Sequence, residues 1–171
     1  MHRYIVKNII DALKEDHIDV LLHGCNCFCG FGKGLAKSIE EAFPIAAAVD
    51  KQTISESKEK LGTISVADVL DDKKIINCYT QFHWIKRLNN EVKITKNGKR
   101  VWMLANYEAI EKCFISVSKL VDKKQRIGIP KIGAGDANGD WSIIEKIALD
   151  VFEKSGHEFN FYVLSETEIP K

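Results

Sequence analysis

Residues 23–35 read HGCNCFCGFGKGL, and the fold is decided by how this stretch is read. It follows the β-branched run IDVLL at residues 18–22, which suits a buried strand. It precedes Leu35, Ala36, Ile39, Ala42 and Phe43, which recur at helical spacing. Gly30, Gly32 and Gly34 therefore join a strand to a helix. Glycine permits positive φ and close backbone approach, and the start of the next helix offers free N–H groups, so such a junction suits a phosphate.

A second junction of the same kind lies further along. The strand-like RIGIP at residues 126–130 runs into KIGAGDANGDW, with Gly133, Gly135 and Gly139. A helix with the apolar face Ile143, Ile144, Ile147, Val151 and Phe152 follows. In open α/β sheets ligands bind beyond the carboxyl ends of the strands, so two such loops on one sheet suit a diphosphate. Strands are also predicted at residues 3–7, 62–70, 73–80 and 158–164, and a helical stripe at Tyr107, Ile110, Phe114, Val117 and Val121. Pro44 ends the helix after Gly34 or starts another. Strands alternating with helices imply a sheet covered on both faces, an α/β layered domain. Between residues 82 and 102 the pattern lapses into a basic, aromatic segment with the turn signal Asn97-Gly98, read as an inserted β-hairpin or mobile loop.

Composition narrows the function. A chain of 171 residues, 45% hydrophobic, can bury one core, and no repeat or linker argues for a second domain. Twenty-five Lys and Arg against 24 Asp and Glu leave a net charge of +1, so no global field draws the chain to nucleic acid or membrane. No apolar run approaches the roughly 18 residues that span a bilayer, and the N-terminus lacks a signal-peptide core. A cytoplasmic monomer with five reduced cysteines is expected.

Other chemistries fit the motif less well. A dinucleotide fingerprint needs an acidic residue about 20 positions on, ending a strand; here that distance lands near Asp50, in a helical stretch, and no GxxxxGK[ST] is present. His23, Cys25, Cys27 and Cys29 could ligate a metal, but zinc sites usually draw a second ligand pair, whereas Cys78 and Cys113 stand alone. No metal or cofactor is expected; the cysteines suit small buried groups beneath the loop, although Cys27 or Cys29 near helix N–H groups could carry some thiolate character. His23, at a strand end, is read as pointing into the cleft, as a structural histidine or as an acid, base or phosphate contact. Asp140 suits an N-cap, whereas Asp136 in mid-loop does not.

These motifs together resemble the macrodomain family, whose members bind ADP-ribose. VLLHGCN is similar to the family's strand with an Asn-containing turn, FGKGLAKSIEEAFP to its diphosphate loop and helix, and IPKIGAGDANGDW to its second phosphate loop; the likeness spans nearly the whole chain. The nearest look is to ADP-ribose 1''-phosphate phosphatases, including those of tailed phages. ADP-ribosyl glycohydrolases are also similar, but their lysine after the fourth-strand threonine is matched here by Gln81 in YTQFHW, with Lys86 nearby. The resemblance implies a three-layer α/β/α fold with a mixed, mostly parallel sheet of about six strands. It implies ligand contacts at Asn8 and Ile9, at Gly24 and Cys25, at Gly30, Phe31, Gly32, Lys33, Gly34 and Leu35, and at Ile132, Gly133, Ala134, Gly135 and Ala137. It also implies hydrolysis of ADP-ribose 1''-phosphate, with His23 and Asp136 in the chemistry and Asn26 on the distal ribose. The alternatives are an ADP-ribosyl glycohydrolase acting on protein or DNA and a non-catalytic ADP-ribose reader. Nucleic-acid contact through the basic loop, with Lys86, Arg87, Lys93, Lys96, Lys99 and Arg100, is a lesser possibility.

Overall fold

The computed structural model describes residues 2–85 and 93–170. The elements run β1 (Tyr4–Val6), α1 (Ile9–Lys14), β2 (Val20–Asn26), α2 (Gly34–Ala42), α3 (Pro44–Lys51), β3 (Ile64–Leu70), β4 (Lys73–Gln81), β5 (Lys93–Lys96), β6 (Lys99–Trp102), α4 (Tyr107–Leu120), β7 (Ile127–Pro130), α5 (Trp141–Ser155) and β8 (Phe159–Val163). Six strands form one sheet in the order β1-β8-β7-β2-β4-β3, parallel except for β3. The expected mixed, mostly parallel α/β sheet is thus what the chain forms.

Alternation along each strand makes two cores, because successive side chains point to opposite faces. Val20 and Leu22 of β2, Ile76 and Cys78 of β4 and Ile127 and Ile129 of β7 meet Ile110, Phe114 and Val117 of α4 and Ile144, Ala148 and Phe152 of α5. On the other face Leu21, Cys25, Ile75 and Tyr79 meet Ile9 and Leu13 of α1, Ile39 of α2 and Ala46 and Ala47 of α3. Pro44 starts a new helix rather than ending the old one, its missing N–H costing nothing at the first helical position. Helix α1 is an element that the sequence reading lacks; Asn8 caps it, Oδ1 accepting from the Ile10 N–H at 2.9 Å.

The basic segment forms a hairpin where it is described: β5 pairs antiparallel with β6 around Asn97 and Gly98, both at positive φ. That is the backbone a two-residue hairpin turn requires. Lys96, Lys99 and Arg100 are exposed on it, whereas Lys86 and Arg87 lie outside the described residues.

Parallel strands put all their carboxyl ends on one edge. At the opposite edge Arg126, just before β7, grips Asp19, just before β2, with Nε on Oδ2 at 2.9 Å and Nη2 on Oδ1 at 2.8 Å. The backbone N–H of Arg126 adds a third bond to the same carboxylate, at 2.7 Å. Arg126→Met is expected to lower stability by about 1 kcal/mol in urea unfolding, and Arg126→Lys to recover less than half, because an ammonium cannot reproduce the fork. An unchanged unfolding midpoint for Arg126→Met would remove this clamp from the account.

Candidate functional site

At the carboxyl edge, the loop after β2 (residues 27–33) and the loop after β7 (residues 131–140) face each other across the end of β2. The floor between them is Gly24. A Cβ there would lie 2.9 Å from Thr80 Oγ1, 3.1 Å from Ile132 Cγ2 and 4.0 Å from the Gly133 nitrogen. A side chain at this position would fill the space beneath the second loop.

The first loop is held from below. Asn26 folds it: Oδ1 accepts from the N–H groups of Phe28 at 2.9 Å and Gly30 at 3.3 Å, and Nδ2 donates to the Gly30 carbonyl at 3.0 Å. The Cys27 N–H donates to the Phe82 carbonyl at 3.0 Å. Cys29, at φ 56, donates its thiol to the Asp50 carbonyl at 3.3 Å and accepts from Lys60 Nζ at 3.2 Å. Lys60 is paired with Asp50 at 2.9 Å, their side chains only 4% and 1% exposed. Burial alone would lower the Lys60 pKa; the bonds to Asp50 and Cys29 outweigh it and hold the ammonium above its ordinary value.

From that pair a buried chain of hydrogen bonds crosses to His23. Tyr79 donates to Asp50 Oδ1 at 2.6 Å and meets Ser65 Oγ at 2.7 Å. Asn77 Nδ2 donates to Ser65 Oγ and to the Ala46 carbonyl, both at 3.0 Å. Asn77 Oδ1 lies 2.6 Å from His23 Nε2; a carbonyl oxygen only accepts, so His23 carries its proton on Nε2. Phe31 packs edge-on against the imidazole, centroids 5.3 Å apart.

These contacts correct the expectation that His23 points into the cleft and acts on the ligand. His23 shares a face of β2 with Leu21 and Cys25, beneath α3, and is 1% exposed. Burial lowers its pKa from 6.5 to about 4, so it is a neutral structural imidazole. Cys25 is buried on that face too. Burial holds the Cys25 thiol well above its ordinary range and pushes Cys27 up to about 11, which removes thiolate character from both. Among the described residues no three His, Cys, Asp or Glu side chains gather as metal ligands.

The other expected residues divide by position. Gly32, Lys33 and Gly34 are exposed at the start of α2, and a Cβ at Gly32 or Gly34 would meet nothing within 4 Å. Leu35 is half-buried and Phe31 is buried. In the second loop Gly135 and Asp136 are exposed, Ala134 is partly so, and Ile132 and Ala137 are buried beneath them. Gly133, at φ 72, is a packing residue: a Cβ there would press on Ile144, Ala105 and Ile110 at 3.2–3.3 Å. Gly139 donates to the Gly133 carbonyl at 2.8 Å and closes the loop. Asp140 caps α5 as expected, accepting from the Ser142 N–H at 2.9 Å. Ile9 lies in the core. Gln81 turns its Nε2 to the His83 carbonyl at 3.1 Å.

Two features escape the sequence reading. One is the Asp50–Lys60 support, whose trace is a charged residue at the helical spacing of the buried Ala46 and Ala47. The other is an ion pair across the cleft, Lys33 Nζ to Asp136 Oδ2 at 2.7 Å.

No protein-family model matches the chain. An uncharacterised 17.5 kDa protein of Enterobacteria phage T4 is 32% identical over 157 residues, covering 88% of each chain. The ADP-ribose 1''-phosphate phosphatase of Candida albicans is 26% identical over 147 residues, covering 85% of this chain and 87% of that enzyme. Among solved structures the macrodomain of Mycobacterium tuberculosis DarG matches with a TM-score of 0.72 at 19% identity, over 96% of this chain and 99% of that one. Thermosipho africanus DarTG in complex with ADP-ribose matches with a TM-score of 0.72 at 17% identity, over 99% of this chain and 43% of that one. The chain is of one family with the phage T4 protein, and its fold is the macrodomain fold.

The buried imidazole makes stability depend on pH. Its folded-state pKa of about 4 lies below the unfolded value near 6.5, so its stabilisation is complete above pH 6.5 and is lost as pH falls from 6.5 towards 4. The loss amounts to roughly 3 kcal/mol. Urea unfolding at pH 7 and pH 4.5 should show the drop, and His23→Gln should remove most of the pH difference. An imidazole resonance of His23 titrating near pH 6.5 in the folded protein would contradict this placement.

Proposed function

We propose that the cleft binds ADP-ribose, with its diphosphate on the amides at the start of α2, and that the protein hydrolyses ADP-ribose 1''-phosphate to ADP-ribose and phosphate. One observation carries the binding reading: α2 starts open. Its N-cap, Lys33, makes no side-chain capping bond, and its first turn holds no acidic residue. By contrast α4 and α5 are capped by Asn106 and Asp140, and α3 begins with a proline that has no N–H to offer. The uncapped N–H groups and helix dipole at α2 favour an anion by roughly 0.3–2 kcal/mol. Beside them, a Cβ at Gly32 or at Gly135 would meet nothing within 4 Å.

The hydrolytic step rests on the 26% identity with the Candida albicans phosphatase and on Asp136 at the cleft mouth. Water attacks the terminal phosphorus and the bond from phosphorus to the ribosyl oxygen breaks. Asp136 takes a proton from the water and returns it to the ribosyl oxygen, while the amides stabilise charge on the transferring group. His23 acts from beneath as a positioning residue, through its packing on Phe31 of the first loop.

Calorimetry with ADP-ribose tests the binding, and phosphate release from ADP-ribose 1''-phosphate tests the chemistry. Gly32→Glu is expected to keep the melting temperature, since its side chain leaves into open space, and to weaken ADP-ribose binding about 100-fold by obstruction and like charge. Undiminished binding by Gly32→Glu would overturn the site. Binding without phosphate release from ADP-ribose 1''-phosphate would make the protein a reader.

A further inference from the structure

Thr80 lies near the end of β4, against the floor of the cleft. In the β2–β4 pairing Cys25 faces Tyr79 and Asn26 faces Gln81, so Thr80 is the extra residue of a bulge. A bulge beside a site re-aims a side chain. Thr80 is only 1% exposed, yet its hydroxyl makes no hydrogen bond among the described residues. The side-chain atom there that is both sealed from solvent and unpartnered is Asp50 Oδ2, not Thr80 Oγ1. The hydroxyl therefore opens on the cleft at Gly24, where an added Cβ would press on it at 2.9 Å. We propose that Thr80 is a catalytic residue of this cleft: its hydroxyl, with the N–H of Gly133, donates to an oxygen of the ligand's terminal phosphate. This rests on the reading of the cleft given above.

The neighbouring backbone decides which ligand group fits. Its carbonyls are occupied: that of Thr80 accepts from the Asn106 N–H at 2.9 Å, that of Gly133 from Gly139 at 2.8 Å, and that of Pro130 from Ile132 at 2.6 Å. The Gly133 N–H, 4.0 Å from the same Gly24 position, donates to nothing among the described residues. One N–H and one O–H thus converge. A phosphoryl oxygen, which only accepts, uses both donors. A sugar hydroxyl would take the N–H and give its own proton to Thr80, which leaves the Thr80 proton unused. Ile132 closes the side of the floor, its Cγ2 3.1 Å from the Gly24 position, and an apolar wall strengthens the bonds beside it by excluding water.

A hydroxyl buried without a partner destabilises a fold relative to a methyl group of the same shape, so the worth of this one lies with the ligand. As water attacks phosphorus and the bond to the ribosyl oxygen breaks, charge is spread over the equatorial oxygens of the transferring group. Thr80 keeps its proton and forms no bond to phosphorus. It holds one of those oxygens while Gly133 holds the same oxygen from the second loop, a pair of neutral donors fixed before the ligand arrives.

The test compares the full-length wild type with Thr80→Val, which has the same shape without the donor, and Thr80→Ser, which keeps it. Calorimetry uses ADP-ribose and its 1''-phosphonate analogue, whose terminal group water cannot remove. Phosphate release from ADP-ribose 1''-phosphate and melting temperatures are measured alongside. Thr80→Val should melt no lower than the wild type, since no bond within the protein is lost, and should bind ADP-ribose within about threefold of it. It should bind the phosphonate about tenfold more weakly and release phosphate about 100-fold more slowly at saturation, and Thr80→Ser should recover most of both. Phosphonate affinity and turnover retained in Thr80→Val overturn the proposal. So does an equal loss of ADP-ribose affinity, which would put the hydroxyl on a part of the ligand other than its terminal phosphate, or a melting temperature several degrees lower, which would give the hydroxyl a partner inside the protein. A wild type that releases no phosphate, with the phosphonate still bound through Thr80, overturns the hydrolytic reading and the catalytic role but leaves the contact in place. Failure of the wild type to bind either probe overturns both.

Discussion

The buried pair of Lys60 and Asp50 is the interaction on which the site depends. Both side chains are almost fully removed from water, and Asp50 Oδ2 has no hydrogen-bond partner among the described residues. Such a pair is costly to assemble, and removing either partner typically costs about 3–5 kcal/mol because the other charge is left stranded. Its position explains its worth. Lys60 reaches Cys29 as well as Asp50, so it holds a non-glycine residue at positive φ in the middle of the first loop. Tyr79 closes on the same carboxylate with the Lys60 ammonium 4.1 Å from its ring centre, and the chain continues through Ser65 and Asn77 to His23. The first loop thus rests on a rigid polar layer.

Rigidity below permits openness above. The amides at the start of α2 can stay uncapped because the residues around them are fixed by Asn26, Cys29 and Phe31 rather than by bonds to the amides themselves. An anion that binds there finds donors already oriented, without the ordering cost of a mobile loop. The second loop is closed on itself by the Gly133–Gly139 bond and tied to the chain before α4 by Ala137, whose carbonyl accepts from Leu104 and Ala105. The exposed side chains of Lys33 and Asp136 meet at the mouth, and Thr80, Ile132 and the Gly133 nitrogen surround the floor at Gly24.

Much of this was legible in the sequence. Strand β2, the glycines of both loops, and helices α2, α4 and α5 follow from apolar spacing interrupted by glycine, a local signal that tertiary contacts reinforce. Helix α1 was not legible, because six residues carry too short a period, and Asn8 in a capping role looks like Asn8 in a binding role. His23 was misplaced for a simpler reason. The bulge in the β2–β4 pairing falls after Cys25, so alternation holds through residues 23–25 and places His23 with Leu21 on the α3 side and Gly24 on the cleft side. Burial neutralises it, and its hydrogen-bond partner Asn77, on β4, lies more than 40 positions away, beyond any local pattern. Lys60 and Asp50 are close in sequence, but each reads as an ordinary solvated charge, and only tertiary packing buries them together.

The central claim is that the open end of α2 and the second glycine loop form one ligand site. Backbone amide NMR of the protein titrated with ADP-ribose tests it most directly. The account predicts that amides of residues 31–36 and 133–137 shift together along one binding curve, while the His23 imidazole and the Asn77 side-chain amide stay where they are. Shifts confined to another surface, with the amides at the start of α2 unmoved, would contradict it.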